Sequence, residues 1–461
     1  MSELIVSVSG VRGILGDSLT PQAIIKYVSA FAQHIRNNAK KNKCSLVVGR
    51  DGRIRGDVIE NLVVSCLSMS GINVISIGMA PTPTVQLAAA LSKSDGAISI
   101  TASHNPQIWN GLKFLNADGT FLDEKQICEL IEIAGKDSFA YSGVKDISVP
   151  AYDDSWNERH VKEILKLRIV NKKKIRERKF KVVVDAVNSS GSFIVPELLE
   201  QLGCKVIRLY CDASGIFPHT PEPLPQNLTG LAKAVLKHKA DLGISVDPDA
   251  DRLVLITDKG KPFSEENTIT TAIRYVLRKT KKKIATVNLS TTRAVDDVAS
   301  ESGGIVCRSA VGEINVVKEM MKNGSVIGGE GSGGVIFPES HYGRDSLVGI
   351  VMILSELALS ELSLSDYMKT LPAYHISKAK IENVKNPDKV LNRIMKLNKG
   401  KKDLLKIWTS DGLKLDFKDF WVHMRKSNTE PIIRVITEAP SYEKAETVQK
   451  EFLGQVRTLL K

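Results

Sequence analysis

The chain has 461 residues, 43% hydrophobic and 25% charged. That is the make-up of a globular protein too long for one core, because single cores stop growing near roughly 250–300 residues. Its formal charge of +12 comes with only 5% aromatic residues, which leaves few platforms for stacking nucleobases, so no nucleic-acid partner is expected. No apolar run approaches the ~20 residues of a membrane helix, so no membrane partner is expected either.

Glu3 stands where a secretory leader would carry a basic residue, which predicts a cytoplasmic chain. The six cysteines form no CxxC pair, which speaks against a disulfide framework or a zinc cluster. The basic runs Asn171 to Lys181 and Arg278 to Lys283 carry no interleaved aromatics and read as solvated faces or interdomain connections.

In chain order, one pattern recurs three times: an apolar β-branched run, a turn, then a helical period. SLVVGRDGR, INVISIG and GAISITASHNP read as strands feeding loops, with VIENLVVSCLSMSG a packed helix closed by Gly71. A charged stretch around Ile175 to Lys181 leads into KVVVDAVNSSG, CKVIRLY and DLGISVDPDADRLVLITD. A third unit begins near Gly260 and holds KIATVNLSTT and SVIGGEGSGGVIFP. From about Leu371 strands and helices mix, ending in the helix SYEKAETVQKEFLGQVRTLLK. The expected fold is α/β: three related mixed α/β domains (1–150, 151–258 and 259–370) and a C-terminal α+β domain (371–461).

Four loops carry chemistry. In TASHNPQIWNGLK, a strand delivers Ser103 to an exposed turn, with His104 adjacent and Lys113 ten residues on. A serine hydroxyl needs a base or electrostatic help to react, and read alone this loop fits a helix-capping serine equally well. In DPDADR, Asp247, Asp249 and Asp251 converge after an apolar strand, with Arg252 behind them. Hard carboxylate oxygens of this kind suit Mg²⁺, which relieves their mutual repulsion.

In GEGSGG, Glu330 and Ser332 are the polar side chains of a glycine-rich turn, a pair that can accept from and donate to sugar hydroxyls. A plain β-hairpin turn is an equal reading of that segment taken alone. In RKSNTEPIIR, Arg425, Ser427, Asn428 and Thr429, with Arg434 behind, form a compact set of anion donors. Together the four describe phosphoryl transfer on a phosphorylated sugar.

These motifs, with SGVRG, GRDGR and FPHTPEPLPQNL, resemble the α-D-phosphohexomutase family along nearly the whole chain. The resemblance implies four domains around a central cleft and an isomerase that interconverts hexose 6-phosphate and hexose 1-phosphate. Ser103 would carry the phosphate and help hold Mg²⁺ with Asp247, Asp249 and Asp251. Arg12 and Lys113 would flank the transferring phosphate, Lys113 as general acid or base, and Arg252 would follow the metal carboxylates. Glu330 and Ser332 would bind the sugar hydroxyls, and Arg425, Ser427, Asn428, Thr429 and Arg434 the non-reacting phosphate. A hexose 1,6-bisphosphate would serve as activator and intermediate, with the chain a monomer or homodimer.

One departure is plain. Many family members end the sugar loop with a histidine assigned to proton transfer, and here the position is Gly334. Lys113 alone, His104 or His341 would then take that part. SAVGEINV resembles the specificity loop, and Glu313 within it points to glucosamine phosphate ahead of mannose or glucose phosphate. An aspartate phosphatase built on DPDADR leaves TASHNP and RKSNTEP without a role. A sugar-phosphate sensor has no need of Ser103 beside three intact aspartates.

Overall fold

The computed structural model describes residues 3–39, 43–426 and 432–460. The chain divides into two compact units, Met1–Tyr275 with Ser332–Met368, and Val276–Gly331 with Lys369–Lys461.

The central strands of the first unit, among them Gly96–Ile100, Ser45–Arg50, Lys181–Asp185 and Leu242–Val246, are apolar and largely buried, as strands covered by helices require. Its larger sheet has seven strands, ordered Ile5–Ser7, Gly10–Ile14, Trp109–Asn116, Gly96–Ile100, Ser45–Arg50, Asn73–Met79 and Ala151–Tyr152. Gly96–Ile100 is buried throughout, runs parallel to Ser45–Arg50 and antiparallel to Trp109–Asn116. Its register pairs Ser99 with Lys113, so the lysine is brought next to the strand end from which the Ser103 loop departs.

Helices close the faces. Pro21–Asn38 starts where the Thr20 hydroxyl accepts from the Ala23 amide, and Glu124–Lys136 starts at a capping box between Asp123 and Gln126. Phe31, Leu46, Val63, Leu67, Ile98 and Phe114 pack in the core between them.

A second sheet in the same unit has four strands, ordered Leu253–Thr257, Leu242–Val246, Lys181–Asp185 and Lys205–Tyr210. Leu242–Val246 is wholly buried and pairs antiparallel with Leu253–Thr257 from Leu242↔Thr257 to Val246↔Leu253. The residues from Asp247 to Arg252 therefore form the tight connection between two buried strands. Ala250 takes a left-handed φ of 49° within it. The antiparallel pair Gly334–Phe337 and His341–Arg344 leads into the helix Ser346–Ser360, whose first turn is capped by Asp345.

In the second unit, Ile284–Asn288 runs parallel to Ile305–Ser309 and to Ile327–Glu330. An antiparallel sheet follows, ordered His375–Ile381, Ile433–Ala439, Trp421–Lys426, Leu413–Phe417 and Leu404–Trp408. Helices Pro387–Asn398 and Tyr442–Leu460 belong with it, and Ile394, Leu415, Phe417, Val422 and Phe452 share its core. All six cysteines are free thiols. Among the described residues no helix is long and apolar enough to cross a membrane.

Candidate active site

Within the first unit, three strand ends meet around one group of carboxylates. Asp247, Asp249 and Asp251 are all buried, and each offers an oxygen within 4.8 Å of the others. Ser103 Oγ donates to Asp247 Oδ2 at 3.0 Å, so the hydroxyl stands at the edge of the triad. Asp247 Oδ1 accepts the Arg252 amide at 3.2 Å. Asp249 Oδ2 accepts from Lys113 Nζ at 2.6 Å and from the Thr82 hydroxyl at 2.7 Å. Asp251 Oδ2 accepts from an Arg344 Nη at 2.6 Å.

The remaining oxygens, Oδ1 of Asp249 and Oδ1 of Asp251, are buried with no hydrogen-bond partner. Buried carboxylate oxygens are costly to leave unpaired. Two of them beside a third carboxylate and a serine hydroxyl make a donor set that could hold a divalent cation, and hard oxygens suit Mg²⁺. The electrostatics agree. Burial, reinforced by repulsion from Asp251 and Asp249, raises the Asp247 carboxyl well above its ordinary range. Burial acts on Asp249 in the same direction, but the Lys113 ammonium overrides it and holds that carboxyl low.

The turn bearing the hydroxyl is cast by residues far away in sequence. Ser103 has φ 49°, a left-handed conformation that costs a non-glycine residue about 1–2 kcal/mol. Its amide donates to Thr101 Oγ1 at 2.8 Å, and the Thr101 hydroxyl donates to Asp51 Oδ2 at 2.7 Å. Arg53 supplies the rest: Nη2 donates to the carbonyls of Ser103 (2.6 Å) and Asn105 (2.7 Å), and Nη1 to those of Pro106 (2.8 Å) and Trp109 (3.0 Å). Arg53 Nε pairs with Asp51 Oδ2 at 3.1 Å, and its charge lies over the Phe217 ring.

Two arginines and a histidine lie beside the triad and the Ser103 turn. Arg12 Nη1 donates to Asn105 Oδ1 at 3.3 Å, and Arg12 Nε is buried without a hydrogen-bond partner. Burial pulls the Arg12 guanidinium below its ordinary pKa against the attraction of Asp249 and Asp251. Arg252 Nε lies 3.9 Å from Asp251 Oδ1. His104 Nδ1 is 3.4 Å from Ser103 Oγ. Burial, with Arg252 and Arg12 nearby, pushes the His104 pKa down to about 3, so the ring is neutral near pH 7.

His341 faces elsewhere. Its Nε2 and that of His160 share Asp345 Oδ2 at 3.3 and 3.0 Å, a buried cluster that secures the cap of the helix Ser346–Ser360. The space over Gly334 is filled by the Arg344 side chain, whose Cδ and Cγ a Cβ at position 334 would overlap. Ser332, partly exposed, precedes that strand.

The second unit holds the other predicted side chains. Glu330 Oε1 accepts from Asn288 Nδ2 at 2.9 Å and from the Gly312 amide at 3.2 Å, which ties it to the turn opening the helix Glu313–Asn323. Glu313 and Glu330 are both buried. Asp411 Oδ2 accepts the Val311 amide at 2.9 Å and lies 2.8 Å from Arg425 Nε. Arg425 and Arg434 are direct cross-strand partners. Like charges opposite one another destabilise a sheet, and an anion between their side chains would relieve this pair. Ser427, Asn428 and Thr429 lie outside the described residues.

Thr82, Arg53, Asp51, Arg344 and Asp411 contact the candidate side chains or the turns that carry them without having been singled out for this from the sequence. GRDGR was a visible signal for Asp51 and Arg53. The others had none, because their partners are remote in the chain.

Models of four phosphoglucomutase/phosphomannomutase domains match the chain in order. Alpha/beta/alpha domain I covers residues 4–141, domain II 158–260, domain III 264–374, and the C-terminal domain 379–455. A phosphoglucomutase/phosphomannomutase of Thermococcus kodakarensis is 35% identical over 437 residues, spanning 95% of this chain and 94% of that protein. A probable phosphoglucosamine mutase of Methanopyrus kandleri is 33% identical over 452 residues, 97% of each. The crystal structure of a phosphoglucomutase/phosphomannomutase family protein from Burkholderia thailandensis matches with a TM-score of 0.85 at 25% identity, covering 98% of both chains.

Proposed function

The chain belongs to the phosphoglucomutase/phosphomannomutase family of isomerases, and from that premise we propose that it interconverts hexose 6-phosphate and hexose 1-phosphate through phosphoserine at Ser103 and a hexose 1,6-bisphosphate, with the glucosamine phosphates as its preferred pair. The observation that carries this reading is the Ser103 hydroxyl 3.0 Å from Asp247, at the edge of a carboxylate triad with two unpartnered oxygens.

In each transfer the bond between Ser103 Oγ and phosphorus breaks, or forms in the return step. A bond from phosphorus to the sugar oxygen does the reverse, and the hydroxyl proton ends on the departing oxygen. Lys113 is the side chain assigned to relay that proton. Arg12 and Arg252 neutralise charge spread over the phosphoryl oxygens, which is where positioning and electrostatics do most in such transfers. Asp247, Asp249, Asp251 and the phosphate on Ser103 would hold Mg²⁺, whose charge would add to that neutralisation. Glu330, Ser332, Arg425, Ser427, Asn428, Thr429 and Arg434 are assigned to sugar hydroxyls and the non-reacting phosphate.

The amino-sugar preference rests on Glu313, a buried carboxylate at the start of a helix and one residue beyond the amide that Glu330 holds. A carboxylate there suits a substrate ammonium. The naming of the Methanopyrus kandleri relative supports it, and that of the Thermococcus kodakarensis relative supports glucose and mannose phosphates instead.

Both levels are tested by peptide mapping of Ser103 after incubation with Mg²⁺ and a hexose 1,6-bisphosphate, and by turnover on glucosamine, glucose and mannose phosphates. Phosphate is expected on Ser103, and S103A is expected to lose more than ~10³-fold in turnover. Retained turnover in S103A with release of inorganic phosphate would instead identify an aspartate phosphatase. A higher kcat/KM for mannose or glucose phosphate would replace the amino-sugar assignment.

A further inference from the structure

Gly334 and Arg344 belong to adjacent antiparallel strands of the first unit. A side chain at position 334 would run into Cδ and Cγ of Arg344, which lies across it, so it would have to displace that arginine. The guanidinium that gains this path reaches Asp251 Oδ2 at 2.6 Å, and Arg344 is only 11% exposed in its side chain. The strand is anchored immediately beyond Arg344. The next residue, Asp345, donates its amide to the Val335 carbonyl at 2.8 Å and accepts from two buried histidines.

Arg344 is also close enough to Arg12 and His104 to disfavour a proton on either. Four cations, Arg12, Arg252, Arg344 and Lys113, thus face the three carboxylates of the triad. Adding a divalent cation makes the surplus of positive charge larger. Partly buried cations in surplus require an anion, and the anion that this site is built to receive is a phosphoryl group.

We propose that Arg344, given room by Gly334, is a phosphoryl-binding residue of the transfer site as well as the partner of Asp251. This rests on the mutase reading above. Arginine keeps its protons at any physiological pH and offers a forked set of donors. Arg344 therefore stabilises the phosphoryl oxygens while the bond to Ser103 Oγ breaks and that to the sugar oxygen forms. It takes no proton, so the relay falls to Lys113. The side chain over Gly334 thus contributes charge, where the expectation for that position was an acid–base group.

The test uses the full chain with R344A, R344K, G334A and the double variant G334A/R344A. Three quantities are read: the rate of Ser103 phosphorylation by glucose 1,6-bisphosphate, the Mn²⁺ affinity of the metal-free protein, and thermal unfolding. Loss of one preorganised donor is worth roughly 10²-fold in rate, so R344A should slow phosphorylation by about that factor, with R344K in between. Mn²⁺ affinity should hold or tighten in R344A, because a cation competing for Asp251 is gone. G334A should also slow transfer by displacing Arg344, and should add nothing in the R344A background, since the two changes act through one side chain.

Phosphorylation by R344A within about threefold of the parent would overturn the proposal. So would G334A and R344A effects that multiply, or a parallel loss of Mn²⁺ binding and folding in both R344A and R344K, which would make Arg344 structural. The parent protein separates the two levels: if it never takes phosphate on Ser103, the mutase reading itself fails, whereas the ratio of variant to parent tests Arg344.

Discussion

Lys414 shows how one side chain can set a pH dependence. It is almost fully buried in the second unit, with Nζ 4.4 Å from the Trp421 ring centre and 3.5 Å from Asp416 Oδ1. Burial, then the nearby Arg308 charge, pushes its pKa from 10.5 down to about 7. Between those values the unfolded chain keeps a proton that the folded chain has released, so stability rises with pH across that window. The rise is at most about 1.4 kcal/mol per pH unit. K414M should flatten it, measured as urea unfolding near pH 7 and near pH 9. An unchanged slope would show that Lys414 does not release its proton in the fold. Nothing in KLDFKDFW marks this lysine as buried: alternation along a strand shows which residues share a face, and only the packed sheet shows what covers that face.

At the scale of loops and strands, local clustering decided what was legible. DPDADR places three carboxylates within five residues, and TASHNP puts its serine at a strand end, so both could be read before any contact was known. Asp411 could not. It holds the Val311 amide, 100 residues away, and the Arg425 guanidinium across a hairpin, while its own carbonyl accepts from His423 Nε2 at 2.7 Å. It therefore couples the turn before Glu313 to the strand that leads to the predicted phosphate loop. A hydrogen bond to a charged group contributes about 1.5–3 kcal/mol. D411A should accordingly raise KM for the hexose phosphate by roughly tenfold or more, with a smaller change in kcat and in unfolding temperature. A fall in kcat alone would place Asp411 in the chemical step instead.

Across the whole molecule, the division into two units predicts where metal will act. The triad, Ser103 and Lys113 all lie in the first unit, whereas the sheet His375–Ala439 lies in the second. A ligand at 100 times its Kd stabilises the state that binds it by about 2.7 kcal/mol. Saturating Mg²⁺ or Mn²⁺ should slow amide exchange in Gly96–Ile100 and Leu242–Val246 and leave Leu413–Phe417 at its metal-free rate. Equal protection of both units would argue against the triad as the metal site. The overall architecture was readable because each strand announces itself in a short window, but the partition into units was not, since it depends on which windows pack together.

The same reasoning applies to the serine turn, whose shape is imposed by an arginine 50 positions earlier in the chain. That turn is not a portable cassette. TASHNP grafted onto another scaffold would bring the hydroxyl without the guanidinium that gathers three of its carbonyls and that of Trp109. Conversely, a designer who left Asp51 and Arg53 in place could rewrite the side chains at 103, 104 and 105 and still inherit the curve of the backbone. In this protein the curve of the turn depends on Asp51 and Arg53 and not on the side chain that the turn presents at position 103.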